Sequence, residues 1–196
     1  MKAKFLKSPI LRISLFAALM GGIVSCGDGA RTGDDTKEVA EDANDAKFDS
    51  AKAERDAQFL VNATEINLQE IKLSQLAEQK STNPEIKSLA KMMTEAHTKA
   101  LSDVRGLASS KTISLPDSAT KEVMNDYDKL EDMKGMDFDK KYCEYMVDGH
   151  KEAIDKFEKA ASDASDPQIK QWASSMIPDL RKHLDDALAC QNKMKK

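Results

Sequence analysis

From about residue 53 onward, apolar side chains recur every three to four positions, which is the period of an amphipathic α-helix. Four long stretches carry that period, over residues 53–80, 84–109, 137–164 and 167–193. The first presents Phe59, Ala63, Ile66, Leu73 and Ala77 on one face, and the second presents Ile86, Ala90, Met93, Ala100, Leu101, Val104 and Leu107. On the third the stripe is Phe138, Tyr142, Met146, Gly149, Ala153, Phe157 and Ala160, and on the fourth Ile169, Ala173, Met176, Leu180, Leu184 and Ala187. Asn83-Pro84 and Asp166-Pro167 put a capping side chain before a proline whose missing N–H costs nothing in a first helical turn, so each pair marks a tight helix-helix turn. The segment 110–136 between the two hairpins is long enough to cross the domain, and Leu115-Pro116-Asp117 is expected to open a short helix there that ends near Gly135. The class is all-α: two helix hairpins with a long crossover between them, over residues 53–196.

A shift of 83 residues lays Pro84, Ile86, Lys87, Ala90, Met93 and Leu101 on Pro167, Ile169, Lys170, Ala173, Met176 and Leu184, and Ile71 and Ala77 on Ile154 and Ala160. Two explanations stay open. One is internal duplication of a helix hairpin, and the other is the set of matches that any two capped amphipathic helices share.

Polar residues interrupt the apolar stripes at one level. His97 falls in the middle of the second stripe, His150 near the centre of the third, His183 at the edge of the fourth and Glu70 inside the first. Measured from the two hairpin turns, all four lie near half the length of their helices, and at about 1.5 Å of rise per residue they fall in a slab on the order of 10 Å thick. Met93 and Met146 stand one turn before His97 and His150, and imidazole with thioether suits soft or borderline metals, Cu(I) among them. Methionine is also a common filler of irregular helical cores, and a buried hydrogen-bonded network of the histidines with Glu70 and Tyr142 or Tyr145 would need no metal.

Composition and charge narrow the function classes. Charged residues make up 33% of 196 residues and aromatics 5%, a helical composition, and the formal charge of −4 supplies no basic field for a nucleic-acid backbone. The first 25 residues are different: Lys2, Lys4, Lys7 and Arg12 precede a mostly apolar run from Ile13 to Val24 that is too short to span a bilayer. The run ends in Ile23-Val24-Ser25-Cys26, which resembles the bacterial lipobox. That resemblance implies a signal peptide over 1–25, diacylation of Cys26 and frequent acylation of the new amine, palmitate being one such chain. Two or three chains hold a protein stably on a membrane. Removing the signal takes away four positive charges and moves the net charge from −4 to −8. Gly27 after the cysteine favours the outer membrane over retention at the inner membrane, with the leaflet left open. Residues 26–52, acidic and without an aliphatic stripe until Phe48, read as the lipidated cysteine and a flexible tether, with a helical stretch towards its end left open. Cys143 and Cys190 are then an even pair in an oxidising compartment, either joined or packed separately as thiols.

Phe59-Leu60, Glu70-Ile71 with Leu76-Ala77, Asn83-Pro84, Met93 followed by His97, and Leu115-Pro116 form an ordered set of landmarks. Phe138-Asp139-x-x-Tyr142, Met146-Val147-x-x-His150 and Pro178-x-Leu180-x-x-His183-Leu184 continue it. In their order and spacing over Asp56 to Leu188 they resemble a family of bacterial envelope proteins known as domain of unknown function 4142. The resemblance implies a ferritin-like four-helix bundle. The Asp that usually precedes the second-helix histidine in that family is Ala96 here. Ferritin chemistry does not come with the fold, since a di-iron site needs four core carboxylates, two of them from Glu-x-x-His pairs. Thr94 and Leu180 stand three residues before His97 and His183, and Glu70 is the one acid placed at mid-core. No glycine-rich phosphate loop, C-x-x-C or H-E-x-x-H occurs, and no catalytic residue or cofactor is assigned.

Two functions follow. The first is a non-enzymatic envelope lipoprotein with a structural or interaction role, held on the membrane by lipid and without a nucleic-acid partner. The second is a transition-metal-binding or redox protein that uses His97, His150, His183 and Glu70, with Met93 and Met146 as soft ligands.

Overall fold

The computed structural model describes residues 33–194, so the signal peptide expected over 1–25 and the lipidation expected at Cys26 lie outside the described residues. Six helices and no strand occur among them: α1 (Gly33–Asp45), α2 (Ala51–Lys80), α3 (Pro84–Ser110), α4 (Lys121–Asp132), α5 (Gly135–Asp163) and α6 (Pro167–Lys193). No helix among the described residues is long and apolar enough to cross a membrane.

The caps are side-chain hydrogen bonds at the positions the punctuation implies. Asn83 Oδ1 accepts from the Glu85 N–H ahead of Pro84, and Asp166 Oδ1 accepts from the Gln168 and Ile169 N–H groups ahead of Pro167. Ser50 Oγ caps α2 by accepting from the Ala53 N–H. The crossover helix departs from expectation. It starts at Lys121, capped by Thr120 Oγ1, because a hydroxyl that takes the Val123 N–H is a better start than Leu115-Pro116. Gly135, at φ +56°, then lets the chain enter α5 almost at once.

The expected tether over 26–52 needs correction from Gly33 onward. α1 is a docked helix that buries Thr36, Ala40 and Asn44, spaced four residues apart, against α2 and α4. Asn44 exchanges two hydrogen bonds with the Ser114 backbone, at 2.8 and 2.9 Å, and Lys37 pairs with Glu65 at 2.5 Å. That face is small and polar, so no aliphatic period announces it.

α2 packs along α3 and α5 along α6, and the hairpins meet through α2 against α5 and α3 against α6. Contacts between and within the hairpins recur under the 83-residue shift. The Phe59 and Phe157 rings lie 5.1 Å apart, and moving each position by 83, in opposite senses, gives Tyr142 and Ser74, whose hydroxyls hydrogen-bond at 2.9 Å. Leu60 and Leu107 share one apolar cluster, and their shifted counterparts are Cys143 and Cys190. Those two cysteines form a disulfide with Cα atoms 6.0 Å apart.

The apolar interior falls into two clusters. One holds Leu73, Leu76, Ile86, Met93, Phe138, Tyr142, Cys143 and Met146, and the other holds Phe59, Leu60, Leu101, Val104, Phe157, Ile169 and Leu180. On each of the four long helices a polar side chain stands between the two: Asn67 and Glu70 on α2, His97 on α3, His150 on α5 and His183 on α6. The fold thus builds one buried polar layer.

Candidate metal centre

The structure brings His97, His150 and His183 together. Their ring centroids form a triangle of 5.3, 5.5 and 5.7 Å, and one ligand nitrogen from each lies within 4.8 Å of the others. His97 and His150 are 4% and 1% exposed, and His183 at 9% stands at the border of the layer.

Hydrogen bonds settle the tautomers of two of these rings. Asn67 Nδ2 donates to the Ala63 carbonyl at 2.7 Å, so Asn67 Oδ1 is the atom turned to His97 and accepts from the Nδ1–H at 2.9 Å. His150 Nδ1–H donates to the Met146 carbonyl at 2.8 Å. Each Nε2 is therefore a bare lone pair in the neutral ring, and the two face one another at 3.4 Å. Neither can donate to the other. His183 adds a third unsatisfied nitrogen, since its buried Nδ1 has no hydrogen-bond partner. Three imidazoles with one nitrogen each within 4.8 Å, two of them bare Nε2 lone pairs, form a donor set for a cation.

The separation fits that role. At about 2.0 to 2.1 Å per bond, a tetrahedral ion holds its nitrogen ligands about 3.3 Å apart, close to the spacing of the two Nε2 atoms, while the three-nitrogen set spans up to 4.8 Å and would have to draw in around an ion.

Burial keeps the imidazoles neutral. His150 is lowered to about 4, chiefly by desolvation and also by His183, against the raising effect of its bond to the Met146 carbonyl. His97 is lowered well below 6.5 by desolvation and then by the other two rings. His183 is lowered by desolvation against the pull of Asp179 and Asp186. Glu70, also in the layer, is raised well above the ordinary carboxylate range by burial. Its Oε1 approaches His150 Nδ1 at 3.5 Å, but both groups are driven to their neutral forms, so this is not an ion pair. Gly149 makes room for it, since a Cβ there would sit 2.6 Å from Glu70 Oε1. Glu70 thus stands behind His150 and outside the ligand triangle, and its Oε2 has no hydrogen-bond partner.

Met93 and Met146, expected as soft ligands, are placed differently. Both are buried in the apolar cluster on the disulfide side, and the Met146 sulfur takes the Ser74 hydroxyl at 3.8 Å. One helical turn before a histidine is one layer below it, which is why shared periodicity put them on the same face but not at the same level. The Met146 contact with the histidines is through its carbonyl, which accepts from His150 Nδ1–H. Met176 on α6 instead lines, with His97 and His183, a cavity of about 200 Å³ that opens from the triangle toward solvent.

Asn67 was absent from the sequence-derived set. Two signals could have found it: it stands on the first stripe between Ala63 and Glu70, and the 83-residue shift lays it on His150. Replacing it tests the hydrogen bond's role, because ligand-orienting partners typically contribute about 10 to 100-fold in metal affinity. Asn67→Ala should weaken metal binding by about that factor with helicity unchanged in circular dichroism. An unchanged affinity would show that the hydrogen bond does not orient the ligand.

Fold and site together define an all-helical protein with a three-imidazole cluster buried at mid-height and reached by a small cavity. Residues 40–190 match the sequence model of Domain of unknown function (DUF4142), and the chain belongs to that family. Neither the curated proteins nor the solved structures compared with the chain contain a match.

Proposed function

We propose that this protein is a lipid-anchored envelope protein whose domain binds one transition-metal ion through His97, His150 and His183. The observation that carries the reading is the 3.4 Å approach of two Nε2 lone pairs whose tautomers are set by Asn67 and the Met146 carbonyl. A buried arrangement of that kind is repulsive until a cation or proton joins the nitrogens, and burial opposes the proton. Neutral imidazole donors in a tetrahedral spacing suit Zn, Cu, Ni or Fe and exclude hard cations that demand oxygen ligands. With one carboxyl behind the histidines, the centre lacks the four carboxylates of di-iron proteins, so a ferritin-like bundle here serves metal binding without iron storage. The anchor is read from the lipobox-like Ile23-Val24-Ser25-Cys26, and the outer membrane is its proposed destination.

Elemental analysis of the untagged full chain tests the metal. One equivalent is expected in the wild type and substoichiometric metal in a variant with all three histidines changed to Ala. His183→Ala, at the edge of the layer, serves as a second variant in case the triple variant fails to fold. Equal metal content in folded wild type and His183→Ala, or none in either after supply of Zn, Cu, Ni and Fe, overturns the reading.

A further inference from the structure

We infer that the three-imidazole centre is an open site, whose fourth coordination position faces the cavity and takes a small monoanionic ligand from solution. The inference rests on the metal-binding reading above. Three observations carry it. The first is the donor count: among the described residues, no carboxylate or thiolate joins the three imidazoles, and Cys143 and Cys190 are tied up in their disulfide. Structural sites for a tetrahedral ion are closed by four protein ligands, whereas three protein ligands leave a position for an exchangeable one.

The second is direction. His97 and His183 line the cavity, while His150 stands behind them and does not, so an ion held among the three has its free side toward the opening. Ile66, Ala100, Phe157 and Leu180 make the apolar part of the wall, the polar part being Asn67, already bonded to His97, with Lys99, Asp103 and Asp179, and about 200 Å³ holds several waters at about 30 Å³ each. Met176 is the one soft atom on that wall.

The third is charge. Three neutral imidazoles leave both charges of a divalent ion uncompensated in a buried layer, and a monoanion bound directly removes half of that. At the mouth, Asp103 is already paired with Lys99 at 2.7 Å, which leaves Asp179 as the acid facing an incoming metal. Water or hydroxide fills the position in the absence of another ligand, and azide is the probe.

The full chain loaded with Co(II) reports the result through its visible d–d bands. Azide should shift those bands along a saturating one-site curve in the wild type. Ala96→Phe, at the half-buried rim of the cavity, should keep cobalt stoichiometry and weaken the azide response about tenfold or more, a difference of about 1.4 kcal/mol at tenfold. Met176→Leu should leave the response in place. Bound cobalt whose spectrum ignores azide in the wild type overturns the open position, and so does a response that appears only after Met176→Leu, which would mean that the thioether closes the site. Failure of cobalt to bind at all is a different result and overturns the three-imidazole centre itself.

Discussion

Loss of the Cys143–Cys190 disulfide is expected to destabilise the domain by about 4 kcal/mol, from the chain entropy released when a loop with a sequence separation of 47 is opened. The bond joins the start of α5 to the end of α6, opposite the turn capped by Asp166, so the α5–α6 hairpin is closed at both ends. Both sulfurs lie against the apolar cluster of Leu73, Ile86, Met93 and Phe138, and Cys143 is fully buried. A double Cys→Ala variant keeps most of that packing and isolates the cross-link. Urea unfolding should show the drop in stability, and thermal unfolding a fall on the order of 10 °C for a domain of this size. Identical midpoints for the double variant and the oxidised wild type would show that the cross-link contributes nothing.

The second large effect concerns acid and the metal-free protein. A histidine whose folded value lies below its unfolded value of 6.5 adds stability above that value and loses it as pH falls toward the folded one, because the unfolded chain binds more protons. For His150, lowered to about 4, the loss between about pH 7 and about pH 5 amounts to about 2 kcal/mol, and His97 adds to it in the same direction. Glu70 acts with the opposite sign. Its folded value is raised, so the native state gains protons first and acid favours it, which offsets part of the histidine loss. Asp179, Lys182 and Asp186 face His183 from its own helix and modulate only that ring. Chelator-treated wild type should therefore lose more stability on acidification than a variant with all three histidines changed to Gln. Glu70→Gln, which removes the offset, should lose more than the wild type. Equal losses in wild type and the triple Gln variant would show that the rings are not held neutral in the native state.

Much of the fold was legible because helix signals are local. α6 begins at Pro167 and ends at Lys193, where periodicity and the Asp166 cap put it, and α2, α3 and α5 differ from expectation by two residues or fewer at any end. The level of His97, His150, His183 and Glu70 was legible for the same reason, since counting from a capped turn measures height along a helix. What was not legible has physical causes of a different kind. α1 buries Thr36, Ala40 and Asn44, and a face held by hydrogen bonds to the Ser114 backbone carries no hydrophobic period. Met93 and Met146 shared a face with the histidines, but rotation about a helix axis says nothing of which layer a long side chain reaches.

By itself, the sequence determined an all-helical chain of two capped hairpins with its three histidines at one height, because caps, prolines and the 3.6-residue period act within a few residues of the backbone. Only the tertiary structure decided which nitrogens meet. Whether His97 Nε2 faces His150 Nε2 depends on Asn67 from one helix and the Met146 carbonyl from another, and on the space that Gly149 leaves for Glu70. The His150 tautomer is set within its own helix, by the carbonyl one turn earlier, but the His97 tautomer is set by Asn67 on another helix, and the meeting of the two rings by packing that no local pattern encodes.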